Sequence, residues 1–314
     1  MKVPYLVSKQ PTNFYDGGDP GDANGSGAEP PNPDEDVDVV LDRRLTTGVD
    51  GELHETFVLR RRIAYNDRHC GEVIVPPVYE MFQTDLTSVP ALFTWLVPKT
   101  GAHLPAALLH DGLVWDPAKE EQTYVSTDGR TINRVEADRI FRDGMADTGT
   151  GLVRRWLVWT AVTLATMWSR GGTSERAFVR NYYRWIMPAT LLSVGWLGYI
   201  ATADLFDRTD RWLWAYDLPW MGEGRFLWEL VTGLAGAIVI PLGLALLWGK
   251  FRRAGLISGI GVAVLIHVTV ALLAVTGLYA VLEWACRKLS ATWLALVAAA
   301  STAGALVVFI LGFR

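Results

Sequence analysis

Four long apolar runs in the second half of the chain set the tightest limit on what it can fold into. A helix needs about 20 apolar residues to cross the ~30 Å hydrocarbon core of a bilayer. Trp185–Phe206, Phe226–Gly249, Leu256–Leu282 and Trp293–Phe313 all meet that need. Asp204 breaks the first run near its end. Pro241 is expected to kink the second, with the freed carbonyl satisfied by a neighbouring helix. Trp185, Trp228, Trp248, Trp284 and Trp293 fall at run ends, where the amphipathic indole favours the headgroup level. Between the first two runs, Asp207–Arg225 carries Trp212, Trp214, Tyr216 and Trp220 and is expected to lie along the membrane surface. Residues 186–314 therefore read as an all-α transmembrane bundle of four helices.

Basic residues give the orientation. Arg170, Arg176, Arg180 and Arg184 precede the first run, and Lys250, Arg252 and Arg253 join the second to the third. With four spans these sets share one side with Arg314, which predicts both termini inside. Residues 171–185 read as a basic juxtamembrane helix. Arg176, Arg180 and Arg184 are spaced i, i+4, i+8 and share one face, suited to anionic headgroups of an inner leaflet at about 1 kcal/mol per charge. Trp156–Trp168 is free of charge but short for a span, so it reads as a buried or interfacial helix. His267, in the middle of the third run, is an ionisable residue at membrane depth; a neutral imidazole bonded to a neighbouring helix explains it equally.

The first half is polar. Residues 1–36 are acidic and rich in Gly and Pro and are expected to be a disordered tail, because they cannot bury enough surface to offset chain entropy. Residues 37–170 read as a small cytosolic α+β domain, short strands first and helices after. Glu55–Leu59, Ile63–Tyr65 and Glu72–Val75 have strand character, with turns at Thr47-Gly48 and His69–Gly71. Pro105–Leu113 reads as a buried helix. Asn133 is expected to cap a second, amphipathic helix over Val135–Met145, after a polar loop over Lys119–Arg130. The formal net charge of −4 gives no footprint for nucleic acid. Two cysteines, Cys70 and Cys286, are too few for a disulfide framework, so Cys70 is expected to be a free thiol in a reducing compartment.

The chemistry-bearing residues lie in one stretch. Thr84-Asp85-Leu86-Thr87-Ser88-Val89-Pro90 is followed by Leu96-Val97-Pro98, then HLPAALLHDGL at His103–Leu113, then EADRIF at Glu136–Phe141. In combination these segments resemble the phage-associated domain of unknown function 1353, over roughly residues 55–167. The chain departs from that pattern by lacking an aromatic directly after His110-Asp111 and by a longer loop before Asn133. The resemblance carries no reaction; it points to phage tail, lysis or host-takeover settings.

The His-Asp pair on one helix, with Ala-Asp-x-x-Phe on the next, is also similar to small secreted phospholipases A2. That similarity implies His110 as general base, Asp138 as the carboxylate orienting its imidazole, and Asp111 as a calcium ligand. Asp85 and His103 extend the set of metal-binding candidates. Imidazole changes protonation near neutrality and serves as a base there; a carboxylate on its second nitrogen fixes the tautomer; calcium polarises an ester carbonyl. The paired cysteines and the Gly-rich calcium loop of those enzymes are absent. The residues themselves demand no cofactor, and the implied one is a divalent cation, calcium. A third reading makes His110, Asp111 and Asp138 a hydrogen-bonded network that fixes the helix pair, with Asp85 and Ser88 capping a turn before Pro90.

Three functions follow as expectations. One is a membrane-anchored adaptor at a bacterial cytoplasmic membrane, docking a phage-tail-like (contractile injection) assembly. Another is a membrane-tethered, metal-dependent lipid or ester hydrolase. The last is a holin-like membrane disruptor.

Overall fold

The computed structural model describes residues 13–22, 25–47, 53–84, 86, 101–114, 121–169, 176–210, 214–222 and 226–288. The chain forms two compact units, Met1–Val264 and Leu265–Arg314. Seven strands are described: β1 (Phe14–Asp16), β2 (Leu41–Thr47), β3 (Leu53–Leu59), β4 (Ile63–Asp67), β5 (Gly71–Val75), β6 (Gln83–Thr84) and β7 (Val125–Ser126). Six α-helices accompany them: α1 (Leu104–Leu113), α2 (Arg134–Asp147), α3 (Leu152–Trp168), α4 (Ala177–Leu205), α5 (Phe226–Ala245) and α6 (Arg252–Lys288). A 3-10 turn, Leu246–Phe251, joins α5 to α6.

The strands form two antiparallel sheets, β1-β4-β5-β7 and β2-β3-β6. In the first, Phe14 pairs with Tyr65, Tyr65 with Val73, and Val73 with Ser126. β4 and β5 are apolar and covered by helices, which gives a core of Ile63, Tyr65, Val73, Leu108, Ile140 and Met145. Close approach of the helices needs small residues. A Cβ on Gly112 of α1 would run into Val75 of β5, and one on Gly144 of α2 would meet Phe14 at 2.9 Å and Ala106 at 3.3 Å. Asn133 caps α2 in a full capping box: its side chain accepts from Val135 and Glu136 N–H, and the Glu136 carboxylate accepts from Asn133 N–H. This is the strands-then-helices α+β domain expected from the sequence.

Two polar segments hold structure that their composition hides. Phe14–Asp16 lies within the stretch expected to be disordered, yet it forms β1. Phe14 is buried with its ring 4.5 Å from that of Tyr65, and buried Asp16 accepts from Arg61 Nε at 3.0 Å. Gly17 N–H donates to Arg62 O, and Arg62 N–H to Gly18 O, each at 2.9 Å. One aromatic and an open sheet edge suffice to order a segment whose average composition is that of a tail. Likewise β7 sits inside the stretch expected to be a loop and completes the sheet beside β5.

Of the expected four-helix transmembrane bundle, the described residues show part. Among the described residues two stretches, Ala177–Leu205 and Phe226–Leu265, are long and apolar enough to cross a membrane. The second runs through α5, the 3-10 turn and the start of α6. Gly249 (φ 53°, ψ −118°) breaks it, and α6 folds back so that Gly255 faces Trp248 and Gly259 faces Pro241. The run Trp293–Phe313 lies outside the described residues. His267 falls on the α6 backbone, and its side chain is outside what is described.

α4 and α5 form an antiparallel hairpin. Tyr182 OH donates to Leu247 O at 2.7 Å near one end. Near the other, Ile200 is buried with Leu218 and Met221, and Thr232 Oγ1 donates to Met221 O at 3.0 Å. Arg184–Leu205 would span about 33 Å at 1.5 Å per residue, the scale of a bilayer core. Residues 214–222 pack on the hairpin, with the Trp220 indole against Gly236 and Met221 against Gly233. Trp248 departs from expectation. The Gly249 turn points it inward, where it is buried and its indole N–H donates to Thr190 Oγ1 at 3.0 Å. Trp185, Trp228 and Trp284 are exposed, as run-end tryptophans should be.

Candidate functional site

The site stands where α1 and α2 cross. Pro105 fixes the start of α1, so His103 precedes the helix as its N-cap residue, in helical φ/ψ and without a side-chain capping bond. His103 is buried. Seven residues on, His110 reaches α2: its Nε2 lies 2.9 Å from Asp138 Oδ1. A carboxylate only accepts, so Nε2 is the donor in this contact. Phe141, one turn beyond Asp138, stacks on the imidazole at 4.8 Å and 26°. Asp138 is 2% exposed, and its Oδ2 has no hydrogen-bond partner among the described residues.

Asp111 stands on the open side, with Oδ1 4.0 Å from His110 Nδ1, beyond hydrogen-bond reach. Its Oδ2 accepts from Thr84 Oγ1 at 2.7 Å, and Thr84 Oγ1 in turn accepts from Leu86 N–H at 2.9 Å. The turn at the start of the Thr84–Pro90 motif is thus capped by Thr84. Asp85 and Ser88, the expected caps, lie outside the described residues, and so does the role of Asp85 as a metal ligand. No group of three or more His, Cys, Asp or Glu side chains placed to hold a metal occurs among the described residues. His110, Asp138, Asp111 and Thr84 are brought together.

A second polar network braces the same helix. Asp67 accepts from both terminal nitrogens of Arg139, at 2.9 and 2.8 Å, and from the N–H groups of His69 and Cys70, each at 2.9 Å. Burial pushes the Asp67 carboxyl up, but Arg139 and the two amides outweigh it and hold the group below its ordinary value. Asp147, at the end of α2, accepts from Tyr65 OH at 2.9 Å and Asn13 Nδ2 at 2.8 Å. The middle and the C-terminal end of α2 are thereby fixed to β4, and Asp138 sits beside the first of these attachments. Cys70 is a buried free thiol beside Arg139.

Sequence reasoning missed Thr84 and Phe141 as site residues. Thr84 opens the dense motif, and Phe141 follows Asp138 by three positions, one helical turn, so each carried a signal that spacing could have used.

Arg176, Arg180 and Arg184 open α4. Arg184 Nε donates to Trp168 O at 2.9 Å, closing the end of α3. The Tyr182–Leu247 bond brings Lys250, Arg252 and Arg253 to the same end of the hairpin, while Asp204, Asp207 and Glu229 gather near the other.

Residues 57–162, about a third of the chain, match the family described as Protein of unknown function (DUF1353). This is the stretch that holds β3 to most of α3 and every described residue of the α1/α2 site. No curated protein and no solved structure matches the chain.

Proposed function

We propose that this chain is a membrane-anchored adaptor that presents a DUF1353-type domain at the inner face of a bacterial cytoplasmic membrane. The assembly it would dock is phage-tail-like, of the contractile injection kind. The observation that carries this reading is the continuity between domain and hairpin. Met167 of α3 and Val135 of α2 share an apolar cluster with Trp248, Phe251, Tyr183 and Met187, so the domain is packed onto the anchor and is not merely tethered to it. The basic end of the hairpin is the end that meets the domain, which supports an inside location. Anionic lipid at Arg176, Arg180 and Arg184 fits the same orientation. In cells holding the assembly, crosslinking and capture of the full-length chain should recover a tail-tube or sheath-like protein. Capture with no tail-like protein would overturn the proposal.

One observation favours a second reading, a membrane-tethered hydrolase of lipids or other esters. His110 is held by Asp138 with its Nδ1 4.0 Å from Asp111 Oδ1, the arrangement of a base oriented by one carboxylate beside a second that could hold a cation. Calcium would supply carbonyl polarisation, with Asp111 as one ligand. Calcium-dependent release of fatty acid by the purified full-length protein, lost in His110→Ala, would establish it. Equal rates in wild type and His110→Ala would leave His110, Asp111 and Asp138 as architecture.

A further inference from the structure

Helix α3 buries hydroxyls alongside apolar residues and leaves an uncharged outer face over its second half. Its 17 residues, about 25 Å long, turn Thr160, Thr163 and Thr166 towards the protein, where all three are buried. Val153, Ala161, Ala165 and Trp168 face away from it; Val153 is 71% and Trp168 57% exposed. From Trp156 to Trp168 no residue carries a charge. The same inward side carries Val158 and Met167, so α3 differs from the surface helix of a water-soluble domain in its outer face, which from Trp156 on lacks the polar and charged residues that water favours. Thr160 Oγ1 donates to Trp156 O at 2.8 Å, whereas buried Thr163 Oγ1 has no hydrogen-bond partner among the described residues.

The surroundings of α3 say what covers its outer face. Leu164 and Met167 pack in one cluster with Tyr183, Met187 and Leu191, which lie about two to four turns inside α4. Arg184 bonds the last carbonyl turn of α3 through Trp168 O. The exposed apolar side of α3 therefore runs on into the exposed apolar surface of the hairpin, through Trp168, Trp185 and Leu246. We infer that α3 is a membrane-inserted interfacial helix, whose outward face lies in the acyl and headgroup region of the leaflet on the domain side. The domain is then seated in the bilayer surface, and α2 with Asp138 is held one helix away from lipid. This inference rests on the anchoring proposed above.

The test uses the full-length protein reconstituted in phosphatidylcholine/phosphatidylglycerol vesicles. An environment-sensitive fluorophore is attached at Ala165→Cys, and at Asp128→Cys on an exposed turn as the aqueous reference, both in a Cys286→Ser background. The same background without an added cysteine gives the contribution of Cys70. Lipids with nitroxide-bearing acyl chains should quench position 165 several-fold more than position 128, and iodide should do the reverse. Iodide quenching at 165 equal to that at 128, in protein that floats with the vesicles, would overturn the inference and leave the anchoring intact. Protein that does not float with the vesicles would overturn both.

Discussion

Within the domain, the apolar residues of β4, β5, α1 and α2 point inward and the charges lie outside or in paired networks such as Asp67–Arg139. Along the α4/α5 hairpin the arrangement is reversed. Leu227, Val231, Ile238 and Leu242 face out, only 22% and 11% of the most apolar stretches is buried, and the interior holds a Thr190–Trp248 hydrogen bond and the glycines of α6. In water the driving force buries apolar area. In lipid that force is absent between helices, and close contact between small residues and internal hydrogen bonds takes its place. The two regions share one chain and one connecting helix, so the solvent each was built for can be read from which side its polar groups occupy.

The largest effect should come from breaking the domain's buried ion pair. Arg139→Met leaves Asp67, 3% exposed, without its partner, at a cost of about 3 kcal/mol. Hydrogen exchange at the amides of β4 and α2 should accelerate while the hairpin amides stay protected. Because the folded carboxyl lies below its ordinary value of 3.8, the pair's contribution is fully present at neutral pH. It is lost as the pH falls below 3.8 through the lower folded value. Acid should therefore loosen α2 in the wild type and do so much less in Arg139→Met.

A smaller effect is expected in the hairpin. Gly255→Val drives new atoms into Trp248, where even a Cβ would stand at 2.6 Å, and should cost about 2 kcal/mol. The change should appear as lower thermal stability in bilayers and a red shift in tryptophan emission as Trp248 loosens. Asn133→Ala removes the α2 cap and should cost about 1 kcal/mol, read by exchange at the first turn of α2 alone. Thr190→Val, which keeps the volume and removes the hydroxyl that accepts from the Trp248 indole, should cost about 0.6 kcal/mol. A loss several times larger would mean that the hairpin interior behaves like the core of a soluble protein, and the comparison above would fail.

Local signals were the legible ones. The strand pattern at Ile63–Tyr65 and Glu72–Val75, the Asn133 cap and the apolar length of α4 and α5 depend on residues close in sequence, and each appears where the pattern put it. The His110–Asp138 approach was expected from a resemblance and not from any local pattern, and the two side chains do meet at 2.9 Å. β1 and β7 were not legible, since two- and three-residue strands exist only through partners that sequence does not name. The inward turn of Trp248 was hidden for another reason: a run-end tryptophan favours the headgroup level until Gly249 reverses the chain. Thr84 as partner of Asp111 joins residues 27 apart, a contact that no periodicity encodes.

The central claim is that the outward apolar faces of α4 and α5 meet lipid. Alkaline carbonate extraction of vesicles carrying the full-length protein tests it most directly, because high pH strips proteins held by charge or by peripheral contact and leaves those that cross the hydrocarbon. The account predicts that the chain stays with the vesicle pellet at pH 11. Release into the supernatant would contradict it and would require the exposed leucines and valines of the hairpin to be covered by protein.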